Sequence, residues 1–298
     1  MEIKKVGIVG FGLMGTEIGR LLAQSGYEVL ATDVNDEVLQ QGMQEITSGR
    51  WGLEKAVEKG KIGKEEAEQA LERINVTTDT RKVCNSVDCV IEVVTENIDL
   101  KKKVFKELDE ISPEKVILAT NTSSLSITQI AAATNRPDRV IGTHFFQPVS
   151  VMLLAEIVCG LLTSDETLAA SKEMLLRLGR KLAVVKDTGS GFASIRLTHA
   201  LFMEASKIVD EGVATPKDVD MILKYGYGHP MGPFEMTDWI GLDMRIKIWM
   251  GMYGITNDPK WNPPPFMKQL IAAGYFGDPK KRKGSSGGYY DYFGQTKE

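Results

Sequence analysis

Val6-Gly-Ile-Val-Gly10-Phe-Gly-Leu-Met-Gly15 opens the chain with an apolar run of strand length, glycines at 10, 12 and 15, and then a stretch to Ser25 whose apolar residues recur at helical spacing. A glycine pattern alone is weak; the strand before it and the helix after it make this one informative. Gly10 permits a sharp turn, Gly12 lets the backbone approach a pyrophosphate, and Gly15 lets helix and strand pack closely, while the helix amino terminus favours an anion. Leu13 and Met14 complete the fingerprint. Asp33 closes the next strand-like run, 18 residues beyond Gly15, where a carboxylate accepts hydrogen bonds from an adenine-side ribose and repels a 2′-phosphate. The pattern predicts a dinucleotide, NAD in preference to NADP. FAD, or a glycine-rich turn with a capping Asp, is the alternative that the fingerprint by itself leaves open.

Outward from this motif, short β-branched runs at 5–10, 28–32, 89–94, 116–119, 140–143, 153–158 and 183–186 alternate with helical patterns. That alternation is how a parallel sheet covered by helices on both faces reads: an α/β, Rossmann-type doubly wound sheet. Residues 36–72 form a charged helical stretch, broken around 48–52 and 60–63, that is longer than a crossover requires and suggests a binding insertion. Beyond Asp187 the alternation stops, and helical patterns at 193–211, 215–223, 239–253 and 264–273 are separated by Gly and Pro turns. We therefore expect two domains: residues 1–187, dinucleotide-binding with a helical insertion, and residues 188–298, all helical. Thr188-Gly-Ser-Gly191 reads as the turn between them.

A chain of 298 residues is long enough for two cores, and 43% hydrophobic with 26% charged residues is the balance of an ordinary soluble protein. The net charge of −4 offers no basic field, so nucleic acid is not an expected partner. No apolar run approaches the ~20 residues that span a bilayer, and the start leads directly into strand-like sequence, so a cytoplasmic location is expected. Cys84, Cys89 and Cys159 are odd in number and lack a CxxC pair, which argues against a disulfide framework or a zinc site and for small core residues.

The chain has three histidines, and His144 follows the apolar run 140–143, at the carboxyl end of a strand where open α/β sheets place ligands. Alone, it could equally be a hydrogen-bonded core residue. Glu156 interrupts the apolar run 151–158, and a buried carboxylate needs a cationic or donor partner. A His–Glu pair meets that need and makes a base, because the acid fixes the tautomer and stabilises the imidazolium; an Arg partner would meet it as well. Thr120-Asn-Thr-Ser-Ser124 follows another strand and offers hydroxyls and an amide, as ordinary turns also do.

Together with Glu92-Val-Val-Thr-Glu96-Asn, Asn121-Thr-Ser-Ser-Leu-Ser-Ile127, Gly142-Thr-His-Phe-Phe-Gln-Pro148, His229-Pro-Met-Gly-Pro233 and Gly288-Tyr-Tyr-Asp-Tyr292, the fingerprint resembles the 3-hydroxyacyl-CoA dehydrogenase family over essentially the whole chain. The resemblance implies NAD-dependent oxidation of a 3-hydroxyacyl-CoA and the reverse. It implies that His144 is the general base, Glu156 its orienting partner and Ser123 a donor to the substrate oxygen, and that Glu96, Lys101 and Asn121 lie near the nicotinamide half of the cofactor. It also implies CoA contacts from Lys55 and Lys59, whose i, i+4 spacing shares a helix face; without it, a solvated face among Glu54 and Glu58 is the plainer reading. A homodimer through the helical domain is expected, since family members dimerise and Met203, Met221, Trp239 and Trp249 exceed what a thin helical layer must bury; a larger private core is the alternative.

The chain departs from the family at Ile195, where Asn is usual before Arg196, at Gln147 for Asn, at Leu153 for Lys, at Ser190 for Pro, and in a small insertion at 48–51. Losing the amide at Ile195 removes a donor that a methyl group cannot replace. Two other readings follow: the same fold and cofactor with an unusual acyl-CoA or another hydroxy acid, or an NAD-binding protein with weak catalysis.

Overall fold

The computed structural model describes residues 2–189 and 191–297; the Ser190 departure lies outside them. The described chain divides into two compact units, Met1–Phe192 and Ala193–Glu298. The division falls at Phe192 because its ring is buried in a core cluster of the first unit with Val9, Val90 and Phe105.

The first unit is built on one sheet of eight strands: β1 Lys5–Val9, β2 Glu28–Thr32, β3 Ile74–Val76, β4 Cys89–Glu92, β5 Ile117–Thr120, β6 Val140–Phe145, β7 Leu154–Cys159 and β8 Lys181–Lys186, in the order β3-β2-β1-β4-β5-β6-β7-β8. Strands β4, β5 and β6 are buried along their whole length, as expected where helices cover both faces. Alternate side chains enter opposite cores: Cys89, Ile91, Ile117 and Ile141 pack in one cluster, Val90, Leu118 and Val140 in the other. Eight helices accompany the strands: α1 Leu13–Gln24, α2 Asp36–Ser48, α3 Leu53–Glu58, α4 Lys64–Glu72, α5 Thr80–Cys84, α6 Ile98–Ile111, α7 Ile127–Ala131 and α8 Asp165–Arg177. Asn35, Asn97, Ser126 and Ser164 cap α2, α6, α7 and α8 by accepting from a backbone N–H three residues on.

Two features differ from the sequence reading. Strand β3 was not anticipated, because three residues with only Ile74 buried carry too short a pattern. The sheet is also not wholly parallel: β7 runs antiparallel to β6, and β8 follows β7. The eight residues 146–153 between β6 and β7 are too few for a parallel crossover, which takes about a dozen or more.

The second unit is helical: α9 Ala193–Asp210, α10 Pro216–Met221 with a π-helical turn at Ile222–Gly226, α11 Pro233–Ile240, α12 Leu242–Thr256, α13 Pro265–Ala272 and α14 Tyr289–Tyr292. Gly241, at φ 111°, separates α11 from α12 where one helix over 239–253 was expected. Phe202, Met203, Phe234, Trp249 and Tyr289 form its core. Of the four residues offered as surplus for a dimer, Met203 and Trp249 are therefore private core, while Met221 and Trp239 are exposed.

Two buried carboxylates close this unit. Asp220 accepts from the N–H groups of Phe234 and Glu235, both at 2.9 Å, and from the Tyr290 hydroxyl at 2.9 Å. Asp238 accepts from Tyr289 N at 2.7 Å and Tyr290 N at 3.1 Å. Each thus satisfies free donors at a helix start, α11 and α14 respectively. Burial raises the Asp238 carboxyl from 3.8 to about 6, against the two N–H donors and Lys297, which lower it. A native group that holds its proton longer than the unfolded one contributes stability that is complete below the unfolded value and is lost as pH rises through the native one. The difference in unfolding free energy between wild type and Asp238→Asn should therefore shrink between pH ~4 and ~6 and be level above ~7. Denaturant melts across that range check it; a difference independent of pH would place the proton elsewhere.

Candidate active site

The glycine turn has the shape a dinucleotide needs. Gly10 sits at φ 99°, and a Cβ there would lie 2.8 Å from the Val93 carbonyl oxygen. A Cβ on Gly15 would overlap the Gly10 carbonyl oxygen, whereas one on Gly12 would meet nothing within 4 Å. Close packing thus explains Gly10 and Gly15, and Gly12 leaves open space at the start of α1. Gly10, Gly12 and Asp33 line a cleft of ≈ 560 Å³ with Val93 to Thr95 opposite. The Asp33 carboxylate accepts from Phe11 N at 2.5 Å and Val34 N at 2.7 Å, which aims it at the turn. Leu13 is exposed, and Met14 packs on the core. These residues fit an NAD: a free helix start for the pyrophosphate and a fixed carboxylate for the ribose.

Beside this cleft is a charged network buried at the ends of β4 and β5. Lys101 and Glu92 are both fully buried and pair at 2.7 Å. Glu92 also accepts from Val94 N at 2.6 Å and the Thr120 hydroxyl at 2.7 Å, and Lys101 donates to the Val94 carbonyl at 3.2 Å. Both charges are therefore satisfied on several sides, the condition under which a buried pair is tolerated. Lys101 also lies 3.7 Å from Glu96. Glu96 in turn accepts from the Thr122 hydroxyl at 2.6 Å and from Ser123 N at 3.1 Å, with the Ser123 and Ser124 hydroxyls at 3.4 Å. Ser123 is thus held by Glu96, and Lys101 acts from below as the brace of the 93–96 loop. Glu92 had a sequence signal that went unread: it breaks the apolar run 89–94 as Glu156 breaks 151–158.

His144 and Glu156 are directly opposite each other in the antiparallel β6–β7 register. His144 Nδ1 lies 2.9 Å from Glu156 Oε2, with His144 7% and Glu156 1% exposed. A carboxylate only accepts, so Nδ1 carries the proton of the neutral ring and Nε2 is left to take one. Phe146 and Phe192 lie against the imidazole, with centroids at 4.4 and 6.0 Å. The Asn121 side-chain oxygen accepts from Phe145 N at 2.9 Å, joining the loop that carries Ser123 to the strand that carries His144. Gln147 is exposed, Leu153 is 55% exposed, and Ile195 is half-buried in the first turn of α9.

Lys55 lies in α3 and Lys59 at its carboxyl cap, both exposed, and Lys55 pairs with Glu58 at 2.8 Å. Both line a cavity of ≈ 190 Å³. The expected core cysteines Cys84 and Cys89 are buried, and burial pushes the Cys89 thiol up to about 12, while Cys159 is partly exposed. Among the described residues no cluster of three or more His, Cys, Asp and Glu could hold a metal, and no helix is long and apolar enough to cross a membrane.

Residues 5–188 match the profile of the 3-hydroxyacyl-CoA dehydrogenase NAD binding domain, and residues 191–291 match that of the 3-hydroxyacyl-CoA dehydrogenase C-terminal domain. The chain belongs to the 3-hydroxyacyl-CoA dehydrogenase family. It is similar to the probable 3-hydroxybutyryl-CoA dehydrogenase of Bacillus subtilis, 40% identical over 99% of this chain and 100% of that one. It is 37% identical to the human mitochondrial hydroxyacyl-coenzyme A dehydrogenase over 97% of this chain and 91% of that one. Among solved structures, the (S)-3-hydroxybutyryl-CoA dehydrogenase of Ralstonia eutropha aligns at a TM-score of 0.88 with 40% identity, over 94% of this chain and 98% of that one. As a member of the family the chain is an NAD-dependent dehydrogenase, with its cofactor domain in the first unit.

In this dehydrogenase the Lys101–Glu92 pair is structural support for the loop edging the cleft beside the glycine turn. Lys101→Met should cost about 3–5 kcal/mol, because it leaves a buried carboxylate without its cation. Adding Glu92→Gln should recover a large part of that loss, since no lone charge then remains. Urea denaturation of the single and double variants decides the point; a double variant no more stable than Lys101→Met would show that the two do not act as a pair.

Proposed function

We propose that the chain oxidises a 3-hydroxyacyl-CoA to the 3-ketoacyl-CoA, and reverses the reaction, with His144 as general base. The observation that carries this reading is the buried 2.9 Å contact between His144 Nδ1 and Glu156. NAD, when bound, supplies the hydride acceptor. His144 takes the hydroxyl proton on Nε2 as the alcohol is oxidised and returns it to the alkoxide in reduction. Glu156, almost without solvent, holds the ring and offsets the positive charge the imidazole acquires.

Ser123 is the donor to the substrate oxygen in this reading, supported by its seat on the loop that Glu96 and Asn121 tie down. A donor fixed in advance is worth most where water is scarce. Asp33 holds the adenine-side ribose, and Lys55 and Lys59 face the phosphates of CoA. The helical unit contributes substrate contacts and a homodimer interface, to which exposed Met221 and Trp239 would belong. The nonpolar Ile195 and Leu153 favour an acyl group other than the family's usual one, a second reading within the same chemistry.

The measurement is loss of NADH absorbance with a panel of 3-ketoacyl-CoA thioesters of different chain length. His144→Gln should lower kcat by about 10²–10⁴-fold, and Glu156→Gln by less, with NADH binding by fluorescence unchanged in both. A wild type as inert as His144→Gln across the panel would leave an NAD-binding protein without this activity. Asp33→Ala should narrow the preference for NADH over NADPH by at least tenfold, by removing the charge that repels the 2′-phosphate; initial rates with the two cofactors test it.

A further inference from the structure

The cleft beside the glycine turn carries a second carboxylate that neither the turn nor the ribose reading employs. Asp33 and Glu107 both line it, and no Lys, Arg or His does. Asp33 is engaged at both oxygens, by Phe11 N and Val34 N. Among the described residues Glu107 has no hydrogen-bond or ion-pair partner. An exposed acid can be left to water, so the exposure of Glu107 by itself carries nothing. Its place in the cleft does.

Leu100, Val104, Glu107 and Leu108 of α6 all line the cleft, and their spacing at i, i+4, i+7 and i+8 puts them on one face of the helix. The carboxylate thus interrupts an otherwise aliphatic stripe. It lies where α6 meets α5: the Cys84 thiol at the end of α5, raised chiefly by burial, is raised further by the Glu107 charge. Thr78 and Thr80, just before and at the start of α5, line the same cleft. Val34, which follows Asp33, lines it too and is 87% exposed, the most of any large hydrophobic side chain described, while Leu100 is 39% exposed. Aliphatic side chains left open in one cleft suit a flat apolar face, and the acid and the two hydroxyls suit the polar edge of a ring. A purine base has both.

We infer that Glu107 is the residue that selects the base of the dinucleotide, its carboxylate accepting from the 6-amino group of adenine and disfavouring a purine with oxygen at that position. The inference rests on the reading in which Asp33 holds the adenine-side ribose, and deepens it. A carboxylate only accepts, so an amino group satisfies it. A 6-oxo purine sets oxygen against oxygen there and carries its N–H on the neighbouring ring nitrogen, an element of rejection as well as a lost contact. Because Glu107 stands at the exposed edge of the cleft, the preference should be about 5–30-fold in affinity rather than larger.

The test compares NADH with reduced nicotinamide hypoxanthine dinucleotide, which differs from it by an oxygen in place of the 6-amino group. Both are fluorescent, and titrating the protein with each gives two dissociation constants without turnover. The hypoxanthine form should bind about 5–30-fold more weakly. Glu107→Gln keeps the length of the side chain and can turn either an oxygen or an NH2 to the base, so the ratio should fall to within about twofold. Asp33→Ala should weaken both dinucleotides and leave their ratio as in wild type. Equal wild-type affinities, or a ratio unchanged in Glu107→Gln, overturn the inference; the ribose reading survives that result if Asp33→Ala weakens both. A ratio that depends on Glu107 while Asp33→Ala weakens neither would keep base selection and remove the ribose reading instead.

Discussion

Between Phe145 and Leu154 the chain reverses direction over eight residues, and the antiparallel pairing that results is the constraint on which the site depends. A parallel crossover would have returned the chain to the other end of the strands before β7 began, and Glu156 would not stand in this register with His144. The reversal instead sets Glu156 across from His144, on one face and at one level, with their polar atoms 2.9 Å apart. The eleven residues between them thus belong to a folded-back pair of strands that orients an imidazole. The connecting loop is held from both sides, by Glu17 on α1 at Val149 N and by Arg180 before β8 at two carbonyls.

The carboxyl ends of the parallel strands concentrate ionisable groups that would be costly anywhere else in the core. Glu92 ends β4, and Lys101 comes back from α6 to neutralise it, so the loop 93–96 is fixed along the cleft beside the glycine turn. Glu96 passes that rigidity to the 122–124 turn, and Asn121 passes it to β6. The groups assigned to cofactor, substrate oxygen and proton transfer therefore rest on one continuous hydrogen-bonded support. Precise placement of this sort is what lets a fixed donor and a fixed base act without reorganising.

The arginines lining the cavity beside Lys55 and Lys59 are held differently. Lys101 is buried and paired with Glu92, while Arg20 and Arg180, also buried, have no carboxylate within salt-bridge distance among the described residues; Glu17 supports the Arg20 charge from farther off, and backbone carbonyls hold Arg180. Arg180 holds the loop between β6 and β7 while it lines the cavity.

The local sequence determined the strand–glycine turn–helix with its acidic partner Asp33, the two-part organisation and the helical character of the second part, because turn chemistry and hydrophobic period act over a few residues. It also marked His144 and Glu156 as an unusual imidazole and an unusual buried acid, although capping or pairing with an arginine stayed open for Glu156 on residue chemistry alone. The family motifs narrowed their roles, yet two of those motifs, around Gly232 and Gly288, prove to be helix starts whose free N–H groups are capped by Asp220 and Asp238. Only the tertiary structure decided that β7 runs against β6, that Lys101 turns inward to Glu92, and that Arg20, Arg50 and Arg180, distant in the chain, line one cavity with the lysines. Those facts depend on which strands pair and which side chains find a counter-charge, and long-range contacts of that kind leave no periodic trace in the residues that make them.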